Sequence, residues 1–237
     1  MELGYWGIKG VAEPIRWLIA YTGMDVHEYT PASSEEWFGS KKSQVGGPFP
    51  NLPYLIDGDF RLTESTAIPY YLIKKSGKTE LLGKDIVEES VVRQIEGVIG
   101  DIRQNVFKAM FTEGGSAQLK TSITKCFEEG GSTRQKLQLL SKYLGDKEYF
   151  LGHVTYADIL FTYFAEFVSS IALSNDVECP LCAYKNLCEL IKRVRGLNGI
   201  KERYEASKQV PFMPPQILSF KMLNSAEIEQ KQAASKQ

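Results

Sequence analysis

Near the amino terminus Tyr5 closes a short apolar stretch, with Gly4 before it and Gly7 and Gly10 after it. A phenol with an ordinary pKa near 10 is neutral at physiological pH and donates one hydrogen bond. At the mouth of a strand, beside backbone without side chains, such a group can meet a small ligand at close range. Farther along, Phe49-Pro50-Asn51-Leu52-Pro53 sets a proline where a strand should begin, since proline cannot donate to a sheet ladder. An X-Pro bond in cis there would turn neighbouring N–H and C=O groups toward a guest. Glu64-Ser65-Thr66-Ala67 reads as a helix start, where free N–H groups and the helix dipole favour a carboxylate. Ser65 could equally be an ordinary cap.

Other chemistries find little support. Cys179-Pro-Leu-Cys182 has metal-ligand spacing, but a second pair is missing, and His27 and His153 stand apart from it. A thioredoxin-type dithiol needs a thiolate at a helix N-terminus beneath a strand, and this pair lies far down a helical half. Both cysteines are therefore read as structural, and no metal is expected. No glycine-rich phosphate loop ends in Lys-Ser/Thr, and no G-x-G-x-x-G follows a strand. With only 2 histidines a Ser-His-Asp or Cys-His mechanism is disfavoured.

The elements that must position Tyr5 and Ser65 can be read in order. Residues 2–6 suit a short strand, and 11–23 suit a helix. Pro14 falls in that helix's first turn, Ile15, Leu18, Ile19 and Thr22 lie on one face, and Gly23 is its stop. Residues 26–29 suggest a second strand, and Ser33 with Glu36 a capping box. Residues 54–63 read as a hairpin turning at Asp57-Gly58, and 64–75 resume helical spacing. Pro69 inside that helix would remove a hydrogen bond and kink it. Residues 1–80 thus suit a small mixed sheet with helices packed on it, residues 81–87 a linker, and residues 88–220 an all-helical domain. Helices are expected over 88–112, 117–129, 133–144, from 154 onward, and around 183–195 and 197–207. Thr155 and Asp158 form a capping box, with Val154 and Ile159 as a hydrophobic staple. Residues 221–237 read as a polar, frayed tail.

Of the 237 residues, 43% are hydrophobic and 24% charged, as in an ordinary globular protein. A net charge of -1 gives no field that would draw the chain to nucleic acid or acidic lipid, so neither partner is expected. The most apolar run, 157–173, is broken by Asp158 and Glu166 and reads as too short and polar to span a bilayer. No secretory leader pattern opens the sequence, and 4 cysteines without a disulfide framework suggest reduced thiols in the cytoplasm.

Taken together and in order, "LGYW.I.G.A..IR", "FPNLPYLIDG", "ES.AI", "GDIR", "VTYADIL" and the late "NL...I.R..GL..I" resemble the glutathione S-transferases, most closely the mu class. The likeness runs from residue 3 to about 220. It implies a thioredoxin-like N-terminal domain, with a mixed four-stranded sheet and helices, followed by an all-helical domain, in a homodimer. It implies glutathione as co-substrate and small apolar electrophiles as second substrates, in a detoxifying transferase. Tyr5 matches the tyrosine that hydrogen-bonds the glutathione sulfur. Trp6, Trp37 and Lys41 match contacts to the glycyl end, with Lys42 an alternate because the local spacing differs by one. Asn51, Leu52 and Pro53 match the cis-proline segment that pairs with the cysteinyl backbone. Glu64 and Ser65 match the pair that grips the γ-glutamyl group. Asp101 matches the acid that reaches the partner subunit's glutathione, and Phe49 the aromatic key of the dimer. Val11 should touch glutathione and also line the electrophile pocket with Phe107, Met110, Phe111 and Phe212.

The chain also departs from that class. Residues 29–37 are shorter than usual, Phe111 stands where a second catalytic tyrosine is found, and Glu64 replaces a glutamine. A sigma-like or lineage-specific subclass fits as well. A binding or structural protein on the same fold, and a glutathione-dependent isomerase or peroxidase, are the alternatives. Retention of Tyr5, Asn51 and Ser65 argues against a bare scaffold.

The chemistry accounts for the tyrosine. A thiol of pKa near 8.5 is only about 3% ionised at pH 7. Lowering that pKa by about two units needs roughly 2.7 kcal/mol, and a hydrogen bond to a charged partner contributes about 1.5–3 kcal/mol. A tyrosinate base would cost more, since the phenol would have to fall some three units, roughly 4 kcal/mol. A neutral donor is the cheaper device.

Overall fold

The computed structural model describes residues 1–111 and 115–234, apart from the side chain of Ser116. Four short strands, β1 (Glu2–Gly4), β2 (His27–Tyr29), β3 (Tyr54–Asp57) and β4 (Phe60–Thr63), form one sheet in the order β2-β1-β3-β4. β1 and β2 are parallel, so a crossover must join them. Helix α1 (Glu13–Thr22) supplies it, with Pro14 in its first turn and Gly23, at φ 71°, donating its N–H to Ile19 C=O at its end. β3 runs antiparallel to both β1 and β4. The β3–β4 turn is Gly58-Asp59, with Gly58 at φ 57°.

Between β2 and β3 the chain makes three short helical pieces: α2 (Ser34–Glu36), a π-helical turn (Trp37–Lys41) and α3 (Lys42–Val45). The expected cap is present in part. Ser33 Oγ accepts from Glu36 N–H at 3.1 Å, but the Glu36 carboxylate takes the N–H of Ala32 and the hydroxyl of Tyr29 instead of closing the box. Helix α4 (Ile68–Ser76) begins three residues later than Ser65, so Pro69 falls in its first turn, removes no intrahelical bond and kinks nothing.

The rest is helical: α5 (Ile86–Met110), α6 (Gly115–Phe127), α7 (Ser132–Leu144), α8 (Tyr156–Ser174), α9 (Lys185–Arg195), α10 (Ile200–Ser207) and α11 (Ser225–Ala234). The capping box of α8 forms as expected. Asp158 Oδ2 accepts from Thr155 N–H at 2.8 Å and from its hydroxyl at 2.7 Å, while Oδ1 accepts from Phe150 N–H at 2.9 Å. Helix α8 is long and apolar enough, by length and composition, to cross a membrane, contrary to the reading of its sequence. It is instead wrapped by the other helices, with sixteen residues from Tyr156 to Ala172 buried.

Two expectations need correction. Residues 79–82 form a 3₁₀ turn whose Leu81 and Leu82 are buried in the main core, so the segment read as linker is partly structural. The tail is likewise ordered through residue 234, with 235–237 outside the described residues: α11 buries Ile228 and Ser225, and Tyr204 donates to Glu229 at 2.9 Å. One continuous core joins Leu3, Ile15, Leu18, Leu55 and Ile68 of the sheet-bearing half to α5 through α10, and a second small cluster holds Trp37, Val45 and Tyr54.

Candidate functional site

The loop after β1 is built around Tyr5, whose ring is 8% exposed and whose Oη accepts from Val11 N–H at 3.3 Å. Gly10 sits at φ 46°, and a Cβ there would lie 2.6 Å from Tyr5 Cε1 and still closer to the hydroxyl. Glycine is therefore required for the phenol to occupy its place. Arg16 of α1 pins the loop from below. Its Nη1 donates to Ile8 C=O at 2.8 Å, its Nη2 to Trp6 C=O at 3.4 Å and its Nε to Glu28 at 2.9 Å, with the guanidinium 5.8 Å from the Tyr5 ring centroid. From the other side the Lys9 and Gly10 N–H groups donate to the carbonyls of Pro211 and Phe212 at 2.8 and 2.9 Å. A segment distant in sequence thus straps the loop in place.

Burial pushes the Tyr5 phenol above its ordinary 10, while the Val11 N–H and the charges of Arg16 and Arg103 pull the other way without reversing it. Tyr5 is a neutral hydroxyl at physiological pH. It faces a cavity of about 270 Å³. Trp6, Ile8, Gly10 and Val11 form one wall of that cavity, and Phe107 of α5 another. Tyr163, Phe164 and Phe167 of α8 meet Phe212, Met213 and Pro214 at the remaining side. Phe107 stacks on Phe167 at 5.8 Å, and Phe167 meets Phe212 edge-on at 6.0 Å. A second, more polar cleft brings Ser65 and Thr66 opposite Glu96, Gly100 and Arg103, and Val11 borders both spaces. Burial raises the Glu96 carboxyl in spite of the Arg93 charge.

Glu64, just before Ser65, holds φ 75°, a left-handed conformation uncommon for a residue with a side chain, and its carbonyl accepts from the N–H groups of Ala67 and Ile68. Leu52–Pro53 is a cis peptide at the start of β3. Asn51 beside it is exposed. Trp37 is buried and stacks on Tyr54 at 6.1 Å. Lys41 lies 4.1 Å from the Tyr29 ring centroid and 4.0 Å from the Glu2 carboxylate, whereas Lys42 turns to Phe38. Asp101 on α5 takes a 2.7 Å bond from Lys136 and also borders an open groove with Val11 and Phe107. Phe49 is 73% exposed on the loop before β3.

Of the residues named for the apolar pocket, Val11, Phe107 and Phe212 come together with Tyr5. Met110 and Phe111 do not line that cavity. One turn on from Val106, Met110 follows its helix face into the core, and Phe111, at the helix end, is half exposed. Sequence reasoning passed over Arg103, Arg16, Tyr163 and Phe167. Arg103 stood inside the motif "GDIR", and Tyr163 was visible as a polar-tipped residue within an apolar helix. Chemically, the arrangement offers a neutral donor at the junction of a polar cleft and an aromatic cavity. It can hold an anion beside an apolar guest.

Residues 1–74 match the family model for the glutathione S-transferase N-terminal domain, and residues 100–208 match one for the glutathione S-transferase C-terminal domain. Glutathione S-transferase Mu 1 of Oryctolagus cuniculus is 35% identical over 217 residues, covering 88% of this chain and 92% of that protein. Glutathione S-transferase Mu 2 of Homo sapiens is 31% identical over 220 residues, covering 89% and 93%. The crystal structure of the glutathione S-transferase Blo t 8 superposes with a TM-score of 0.78 at 25% identity, covering 91% of this chain and 97% of that one. With that fold, and with relatives named for this activity along nearly its whole length, the chain belongs to the glutathione S-transferase family and is a glutathione transferase.

Proposed function

We propose that Tyr5 donates its hydroxyl to the glutathione sulfur and holds it as a thiolate for attack on an apolar electrophile in the adjoining cavity. The observation that carries this reading is a phenol kept protonated by burial at the cavity wall, with the Arg103 and Arg16 charges close enough to favour an anion beside it. The hydrogen bond supplies about 1.5–3 kcal/mol of preference for the charged sulfur, near the roughly 2.7 kcal/mol that two pKa units require. The thiolate's electron pair forms the new carbon–sulfur bond, and the leaving group or the electrophile's own acceptor atom takes the displaced electrons.

In this reading glutathione lies along the sheet edge. Glu64 and Ser65 hold the γ-glutamyl end, a reading supported by Ser65 lining the polar cleft and by the left-handed turn at Glu64 just before it. Asn51, Leu52 and Pro53 meet the cysteinyl backbone beside the cis bond. Trp6, Trp37 and Lys41 serve the glycyl end, and Lys41 must leave Glu2 to do so. Val11, Phe107 and Phe212 contact the electrophile, with Tyr163 and Phe167 completing its walls. The protein works as a homodimer in the cytoplasm, a reading supported by the exposure of Phe49 and by four cysteines outside any disulfide. Asp101 then reaches toward the partner subunit's glutathione.

The test is Tyr5→Phe assayed with glutathione and a chloro-nitroarene. Turnover should fall about 10- to 1000-fold while glutathione affinity changes by no more than about twofold. The thiolate absorbance of the binary complex should vanish as well. Undiminished turnover in the variant removes Tyr5 from the chemistry.

A further inference from the structure

Outside the cavity lining, Cys179 and Cys182 bracket the first turn of a 3₁₀ segment (Pro180–Ala183) that joins α8 to α9. The Cys182 N–H donates to the Cys179 carbonyl at 3.1 Å, closing a four-residue turn. Such a turn brings its end Cα atoms within about 7 Å, the span that a disulfide bridges. The surroundings of the two thiols differ. Cys179 is buried, with its sulfur 3.5 Å from Ser169 Oγ of α8, whereas Cys182 is exposed. The neighbouring Cys188 is occupied elsewhere, its thiol donating to Leu181 C=O at 3.5 Å.

We propose that Cys179 and Cys182 form a redox-active dithiol that exchanges with glutathione disulfide, Cys182 attacking and Cys179 resolving. The Cys182 thiolate attacks one sulfur of the disulfide. The S–S bond breaks, a Cys182–glutathione mixed disulfide forms, and one glutathione leaves as its thiolate. Cys179 gives its proton to that departing thiolate and attacks the Cys182 sulfur. The mixed disulfide breaks and a second glutathione leaves. Two protein thiols are oxidised to one disulfide, and one glutathione disulfide is reduced to two glutathiones.

The division of labour follows from the site. The hydrogen bond from Cys179 holds the Cys182 thiol down to about 6, against its own partial burial and the nearby Glu178 carboxylate. The same hydrogen bond, and burial, push Cys179 well up. An attacking thiol works best with a pKa near ambient pH, and a buried, protonated neighbour reacts only once a mixed disulfide has formed beside it. Pairing an exposed nucleophile with a shielded resolver distinguishes these two from Cys126 and Cys188.

The full-length protein, the variants Cys179→Ser and Cys182→Ser, and a Cys179→Ala control are incubated with glutathione disulfide at neutral pH and followed by intact and peptide mass spectrometry. The unaltered protein should lose two hydrogens, with the new bond mapped to 179–182. Cys179→Ser and Cys179→Ala should each gain one glutathionyl group at Cys182, and Cys182→Ser should gain none at Cys179. Cys182 should react at least about tenfold faster than Cys188. Chloro-nitroarene conjugation should be unchanged in all the variants, which shows that they are folded. An unmodified wild type overturns the proposal, as does stable glutathionylation of Cys182 without the internal bond, or a Cys182 no faster than Cys188.

Discussion

At the scale of single residues, Tyr5 is defined by what surrounds it. Burial raises its pKa, and the sign of that shift fixes its behaviour with pH. The O–H form persists above the ordinary value of 10 instead of being lost below it. The pH dependence of kcat/KM should therefore rise as the bound thiol ionises and then stay level to about pH 9.5, without a falling limb from the phenol. A tyrosinate base would need the opposite shift, and a fall below pH 9 in stopped-flow rates would count against the neutral donor. Tyr5 and Pro53 stood out in the sequence because each breaks a local pattern, a phenol among glycines and a proline at a strand start, whereas Ser65 was read as a helix start that the structure places three residues later, at Ile68. Tyr163 and Phe167 did not stand out. They lie on a helix that is apolar almost all round, where periodicity cannot tell a face that packs from a face that lines a void.

Among the elements, α8 organises the molecule. It carries three cavity residues, and its amino end is tied by Asp158, which accepts three hydrogen bonds while fully buried. Burial raises the Asp158 carboxyl and those bonds lower it, and burial prevails. Asp158→Ala strips the helix of its cap and leaves the Thr155 and Phe150 N–H groups buried without partners. Chemical denaturation should register a loss of about 3 kcal/mol. This box was readable from Thr155 and Asp158 alone, because its spacing is its mechanism. Residues 79–82 and α11 were less readable. Leu81 and Leu82 sit among glycines and charges that suggest a linker, and α11 is held by contacts with distant segments: buried Ser225 and Ile228, the Tyr204–Glu229 and Lys208–Glu229 pairs, and Lys231 on Leu173 C=O and Asp176. Short segments that owe their order to tertiary contacts carry almost no periodic signal of their own.

Across the whole molecule, a buried charge cluster joins the two halves. Glu13 of α1 takes bonds from Arg16 and from Trp17 Nε1, and Arg203 of α10 bridges Glu13 and Glu28. Burial works to raise the Glu13 carboxyl, but the Arg203 and Arg16 guanidiniums outweigh it and hold it below its ordinary 4.5. A folded-state pKa that is depressed stabilises the protein above the unfolded value, and this contribution drains away as pH falls below about 4.5. Glu13→Gln should make the acid limb of a melting-temperature profile shallower. It should also cost about 1–3 kcal/mol at neutral pH, because the Arg16 and Arg203 guanidiniums lose one of the two carboxylates they share and keep only Glu28. A profile as steep as that of the parent would exclude Glu13 as the acid-sensitive link. None of this cluster was legible, since its members are separated by up to 190 positions. The strap formed by Pro211 and Phe212 reaches equally far back, to the loop that seats Tyr5. Because a ribosome releases the chain from its amino end, the nucleophile's perch at Tyr5 emerges long before its far wall at Phe212. A nascent chain interrupted before that wall would carry the phenol yet have nowhere to lodge a second reactant, so the site becomes competent only once Pro211 and Phe212 have been made.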